Sequence, residues 1–134
     1  MTSDHIGKLL LRATLGGLML FHGAAKILNG TAGIERMLSA AGLPAAFANL
    51  VLVGEVLAPA LLLLGLFTRP AAIVIAVNMV VAVLLAHTSH LFALGKSGGW
   101  SLELQAFFFL TAVVIAVFGA GKYRIGVQRK AWWA

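Results

Sequence analysis

The chain has 134 residues, of which 61% are hydrophobic and 10% charged, with a net charge of +6 and no cysteine. A soluble domain carries about 25% charged residues, and one this small has no interior large enough to hide so much apolar surface; a bilayer acts as the solvent for it instead. The absence of cysteine excludes disulfides, thiol redox chemistry and thiolate metal sites, and the basic balance reads as lysine- and arginine-rich loops facing anionic lipid rather than nucleic acid.

Taken in order, the chain predicts four spans of about 20 apolar residues. The first covers about residues 6–28. Lys8 and Arg12 ahead of an apolar run resemble a cleavable leader, but Gly23-Ala24-Ala25 runs into Lys26 and three more apolar stretches follow, so it reads as a retained helix. Asn29, Gly30 and Gly33 break it. In the only long connection, Ile34, Met37, Leu38 and Ala41 recur at helical spacing, which predicts a short amphipathic helix lying in the interface or folded back as a cap, ending at Gly42-Leu43-Pro44. The second span covers about residues 46–67 and ends at Thr68-Arg69-Pro70. The third, about 70–92, starts on Pro70, a residue suited to a first helical turn. Lys96, Ser97, Gly98 and Gly99 separate it from the fourth, about 101–118, which Gly119-Ala120-Gly121 ends. The expected architecture is a single all-α domain over residues 1–134, an integral membrane four-helix bundle. Gly16, Gly23, Gly54 and Ala58 are small enough to let helices approach closely.

Lys8, Arg12, Arg69, Lys122, Arg124, Arg129 and Lys130 fall at one set of span ends, and Lys26, Arg36 and Lys96 at the other. The positive-inside rule therefore puts both termini in the cytoplasm. Trp132 and Trp133, beside Arg129 and Lys130, read as an interfacial anchor.

Ionisable residues inside spans are costly and mark partners or function. At about 1.5 Å per residue, His22 lies roughly 9 Å, Glu55 roughly 13 Å and His87 roughly 8 Å from the outer ends of their spans. Lys26 and His90 sit nearer that surface, and Glu103 opens the fourth span. His22 and Lys26, four apart, share a helix face with Arg12, whose long side chain can reach toward Glu55. Such residues also serve as packing pairs or snorkel to the interface, but their common depth predicts a polar cavity in the outer half. The expected ligand-binding residues are Arg12, His22, Lys26, Glu55, Asn78, His87 and Glu103. Glu55 and His22 are the candidate catalytic pair for proton transfer, with Arg12 orienting Glu55. Histidine, lysine and arginine supply the donors a quinone head group needs, and apolar walls suit its ring and tail. A metal held by His22, His87 and Glu55, or a haem between the two histidines, is a weaker reading, since no ligand spacing singles it out. No nucleotide-binding or hydrolase motif is present.

Several short segments carry a family resemblance: Leu10-Leu11-Arg12 with Gly16, His22-Gly23-Ala24-Ala25-Lys26, Gly42-Leu43-Pro44 and Gly54-Glu55. After these come Leu61–Leu64 with Gly65, Thr68-Arg69, Glu103, and Gly119-Ala120-Gly121-Lys122-Tyr123. In this order the chain resembles the DoxX family of small membrane proteins over about residues 8–124. The resemblance implies four membrane helices in a bacterial cytoplasmic (inner) membrane and quinone-linked oxidoreductase chemistry, because relatives belong to quinol oxidase and thiosulfate:quinone oxidoreductase complexes. It also implies a redox partner subunit, and association between copies is a further expectation. The competing expectation is a non-enzymatic subunit, an assembly factor or a small-solute transporter.

Overall fold

In the computed structural model, residues 2–126 and 131–134 are described, and they fold as helices and turns, with a single β-bridge between Leu94 and Trp100. Arg129 and Lys130, counted above among the basic span ends, lie outside the described residues.

Helix α1 covers Thr2–Asn29. The short helix α2, Ala32–Ala40, follows the break at Gly30 and matches the expected amphipathic segment, burying Leu38. It closes through Leu43 N–H donating to the Leu38 carbonyl at 2.9 Å, with Gly42 in the left-handed region that such a closure requires. The next rod, Ala45–Leu64, is continuous but not uniform. It opens with a 3-10 turn at Ala45–Phe47, runs as α3 over Ala48–Leu52, widens into a π turn at Val53–Leu57, and resumes as α4 over Ala58–Leu64. Helix α5 covers Thr68–Ala86 and α6 covers Glu103–Phe118.

The π turn has a cause in the sequence. Pro59 has no N–H, so it cannot donate to the Glu55 carbonyl four residues earlier. The ladder widens just upstream, where the Ala58 N–H reaches back five residues to the Val53 carbonyl.

Helix α1 packs on α4, α4 on α5, α5 on α6, and α6 returns to α1. Their shared core includes Leu15, Met19, Leu62, Ile75, Phe108 and Ile115. Glycines set the closest crossings. A methyl group at Gly16 would lie 2.9 Å from the Pro59 carbonyl oxygen, and one at Gly54 2.7 Å from the Asn78 side-chain carbon. Close backbone approach of this kind supplies packing where lipid removes the hydrophobic drive between helices.

Two rods, Ala45–Leu64 and Thr68–Ala86, are long and apolar enough to cross a membrane. In the most apolar 18-residue stretch of each, only 33% and 28% of the residues are buried, so they differ from the mostly buried core helix of a soluble protein. Their outer faces present Leu57, Leu63, Ile73, Val77, Val80 and Leu84. Helix α6 is equally apolar but shorter, at 16 residues. Helix α1 has the length, but Asp4, Lys8, Arg12, His22 and Lys26 interrupt its apolar character. The third predicted span is corrected at both ends. Helix α5 starts two residues before Pro70 and stops at Ala86, leaving His87 as its C-cap and His90 in a separate 3-10 turn.

Candidate functional site

The polar residues of the interior separate into two centres. The first is built on Arg12, which is 1% exposed. Its Nε donates to the Leu62 carbonyl at 2.9 Å and its Nη2 to Leu63 at 3.3 Å. Its Nη1 donates to Ala120 at 2.6 Å and Tyr123 at 2.7 Å. Leu62 and Leu63 lie in the last turn of α4, where carbonyls have no partner within the helix, and the negative end of the helix dipole favours a cation there. Gly65 makes room for the guanidinium, since a methyl group on it would lie 2.6 Å from Nη2. The expectation that Arg12 orients Glu55 is therefore corrected: its donors serve backbone carbonyls at the opposite end of α1.

The second centre is built on Glu55, carried by the π turn and 5% exposed. Lys26 of α1 donates from Nζ to Oε2 and forms an ion pair with it. Asn78 of α5 donates from Nδ2 to Oε1 at 3.4 Å. Three sequence features place these groups. Gly23 brings α1 directly against the backbone of Glu55, so that any side chain there would collide with the Glu55 carbonyl oxygen. Lys26 follows one turn later on the same face. Gly54 brings Asn78 against the π turn.

Asn78 and Gly54 also line a pocket of about 610 Å³ between α2, α3 and α5. Its remaining walls are apolar and include Leu38, Phe47, Leu50, Val74, Val77 and Val81. Asn78 thus faces both ways, toward the Glu55–Lys26 ion pair and toward an apolar chamber. The sequence points to Glu55, Lys26 and Asn78 but not to this chamber, which arises from the fold-back of α2. The π turn was also missed, although Pro59 four residues after Glu55 is a readable signal for it.

The other expected residues lie apart. His22 is exposed and presents its ring edge-on to Phe108 of α6, with centroids 5.7 Å apart. His87, past the end of α5, makes its ring contact with His90 at 6.0 Å. Glu103 is exposed at the start of α6 and packs its carboxylate over Gly99. The polar cavity expected from His22, Lys26, Glu55 and His87 is accordingly replaced by a smaller triad beside an apolar pocket. Among the described residues, no group of three or more histidine or acidic side chains is arranged to hold a metal ion.

The sequence model of the DoxX family matches residues 7–88, well over half of the chain. The chain belongs to this family and is a membrane protein. The match takes in both polar centres' residues on α1, α4 and α5 and stops before α6, so Glu103 and the Gly119–Tyr123 segment lie beyond it. No curated protein and no solved structure matches the chain.

Proposed function

We propose that the four long rods span the bilayer with both termini in the cytoplasm, and that the protein binds a lipid-soluble, quinone-like aromatic molecule as a component of a quinone-linked oxidoreductase. One observation carries the binding reading: the pocket of about 610 Å³ is apolar except at Asn78, and Asn78 is hydrogen-bonded to the buried Glu55, which pairs with Lys26. An apolar chamber with one placed polar group is the usual form of a small-molecule site. The pocket opens beside helices whose outer faces suit lipid, so a ligand dissolved in the membrane can reach it without entering water.

The chemistry follows from the donors. The Asn78 amide has two N–H bonds; one serves Glu55, and the second is available to a carbonyl oxygen in the pocket. A quinone takes up protons when it is reduced, and Glu55 and Lys26 stand one hydrogen bond behind that position. Glu55 is the proposed proton-handling residue, Lys26 holds it, and Asn78 is the ligand contact. Arg12 has no part in the binding.

The test is purification of the full chain in native lipid nanodiscs, followed by mass spectrometry of the extract and thermal-shift titration with a short-chain quinone. A co-purified quinone and a saturable shift that is reduced in Asn78→Leu support the reading. Absence of both overturns it.

A further inference from the structure

Helix α6 has 16 residues, about 24 Å of rise, against a hydrocarbon core of about 30 Å. Helix α5, with 19 residues, reaches about 28 Å. The connection between them has the opposite character from an aqueous loop. Residues 87–102 include Lys96 as their sole lysine, arginine or acidic residue. Phe92 is fully exposed, Leu94 is 73% exposed, and Leu91 and Trp100 are also open.

The backbone of this connection is paired internally at its two strands and its tip. Leu94 and Trp100 form an antiparallel bridge. Gly95 N–H donates to the Gly99 carbonyl at 2.6 Å, Ser101 to Ala93 at 3.0 Å and Ala93 to His90 at 3.1 Å. The Trp100 indole N–H donates to the Leu91 carbonyl at 2.8 Å. In water none of these bonds is required, since solvent supplies the partners. Near hydrocarbon they are, because an unpaired backbone group there has nothing to bond.

We propose that Leu91–Trp100 is a hairpin immersed in the headgroup–acyl boundary of the non-cytoplasmic leaflet. Its partner is the phospholipid surface itself. The hairpin continues the apolar wall of α5 and α6 past the end of the short helix and so makes up the missing height. Phe92, Leu94 and Trp100 enter the acyl edge, and Lys96 at the tip reaches the phosphates. This rests on the spanning reading given above, and the experiment separates the two.

Trp132→Phe and Trp133→Phe together leave Trp100 as the single tryptophan of the full chain. In liposomes, lipids brominated near the glycerol end of the acyl chain are expected to quench Trp100, and aqueous iodide to quench it several-fold less than free tryptophan. With Trp100→Phe added, Phe92→Trp is expected to report the same shallow depth and Leu110→Trp, mid-way along α6, a deep one. If Leu110→Trp is deep while Trp100 and Phe92→Trp are open to iodide and insensitive to bromine, the hairpin proposal is overturned and the spanning reading stands. If Leu110→Trp is also open to iodide, both fall.

Discussion

Helix α1 carries two inward-facing cations, the buried Arg12 and the partly buried Lys26, about 21 Å apart along its axis, and they are used in opposite ways. Arg12 is surrounded by main-chain carbonyls from two stretches of chain, and every described hydrogen bond it makes ends on backbone. Lys26 meets a side-chain carboxylate, which in turn meets a side-chain amide at the wall of a pocket. A guanidinium with five donors in a fixed fork can satisfy several carbonyls at once, which makes the first centre a fastening. The second centre uses one ion pair and one amide and stands next to space a ligand can fill. The kind of partner, more than the depth of burial, separates structure from chemistry here.

The comparison breaks most sharply at Arg12. Arg12→Leu strips donors from four carbonyls at roughly 1 kcal/mol each, so a loss of about 4 kcal/mol is expected, seen as a large fall in unfolding temperature in detergent. Arg12→Lys restores only part of it, because an ammonium cannot span the same set of acceptors. At the crossing of α1 and the π turn, Gly23→Ala forces a methyl group onto the Glu55 carbonyl and should cost about 1–3 kcal/mol. It should also loosen the Lys26–Glu55 pair, which infrared detection of the carboxylate would register.

At the second centre the order reverses, with ligand binding affected more than stability. Asn78→Leu removes the pocket's polar wall at similar volume and should weaken quinone affinity about tenfold, measured by titration in nanodiscs. Glu55→Gln should leave the stability within about 1 kcal/mol of the parent, because Lys26 is partly exposed and can snorkel away. Equal affinity in the parent and Asn78→Leu would erase the functional half of the comparison.

The smallest effect belongs to the first turn of α1. The Asp4 carboxyl is held below its ordinary value, chiefly by the hydrogen bond from Lys8 Nζ at 2.8 Å. Its folded-state value being lowered, the contribution to α1 is complete above the unfolded-state value and disappears as pH falls through the folded one. An NMR titration of Asp4 should show that lowered midpoint, and Lys8→Ala should return it to the ordinary range.

Much of the element map was legible because its signals are local. Apolar runs marked α1, the Ala45–Leu64 rod, α5 and α6, and the spacing of Ile34, Met37 and Leu38 marked α2. Glu55, Lys26 and Asn78 stood out because polar groups in apolar helices are costly. The partners of Arg12 did not, since any residue has a carbonyl and nothing in Leu62, Ala120 or Tyr123 announces one left over at a helix end. His87 was placed inside a helix because Leu91 and Phe92 resume the apolar character beyond it, whereas α5 ends at Ala86, ahead of the polar residues 87–90, and Leu91 and Phe92 lead into the hairpin. The pocket escaped because it depends on where α2 lies after the chain turns back, and no spacing along one element encodes that.

The Arg12 fastening also orders events during synthesis. Its acceptors are 50 and 51 residues downstream on α4, and 108 and 111 residues downstream beyond α6. When α1 leaves the ribosome, none of them exists. At about 5–20 residues per second, the last of them arrives on the order of 5–20 s later. Until Leu62 and Leu63 are made, the guanidinium has only water or lipid phosphate to bond, and until Ala120 and Tyr123 follow, half of its final acceptors are missing. A chain that stops before Ala120 leaves Arg12 with half its acceptors, and that half-satisfied cation distinguishes an unfinished copy from a finished one.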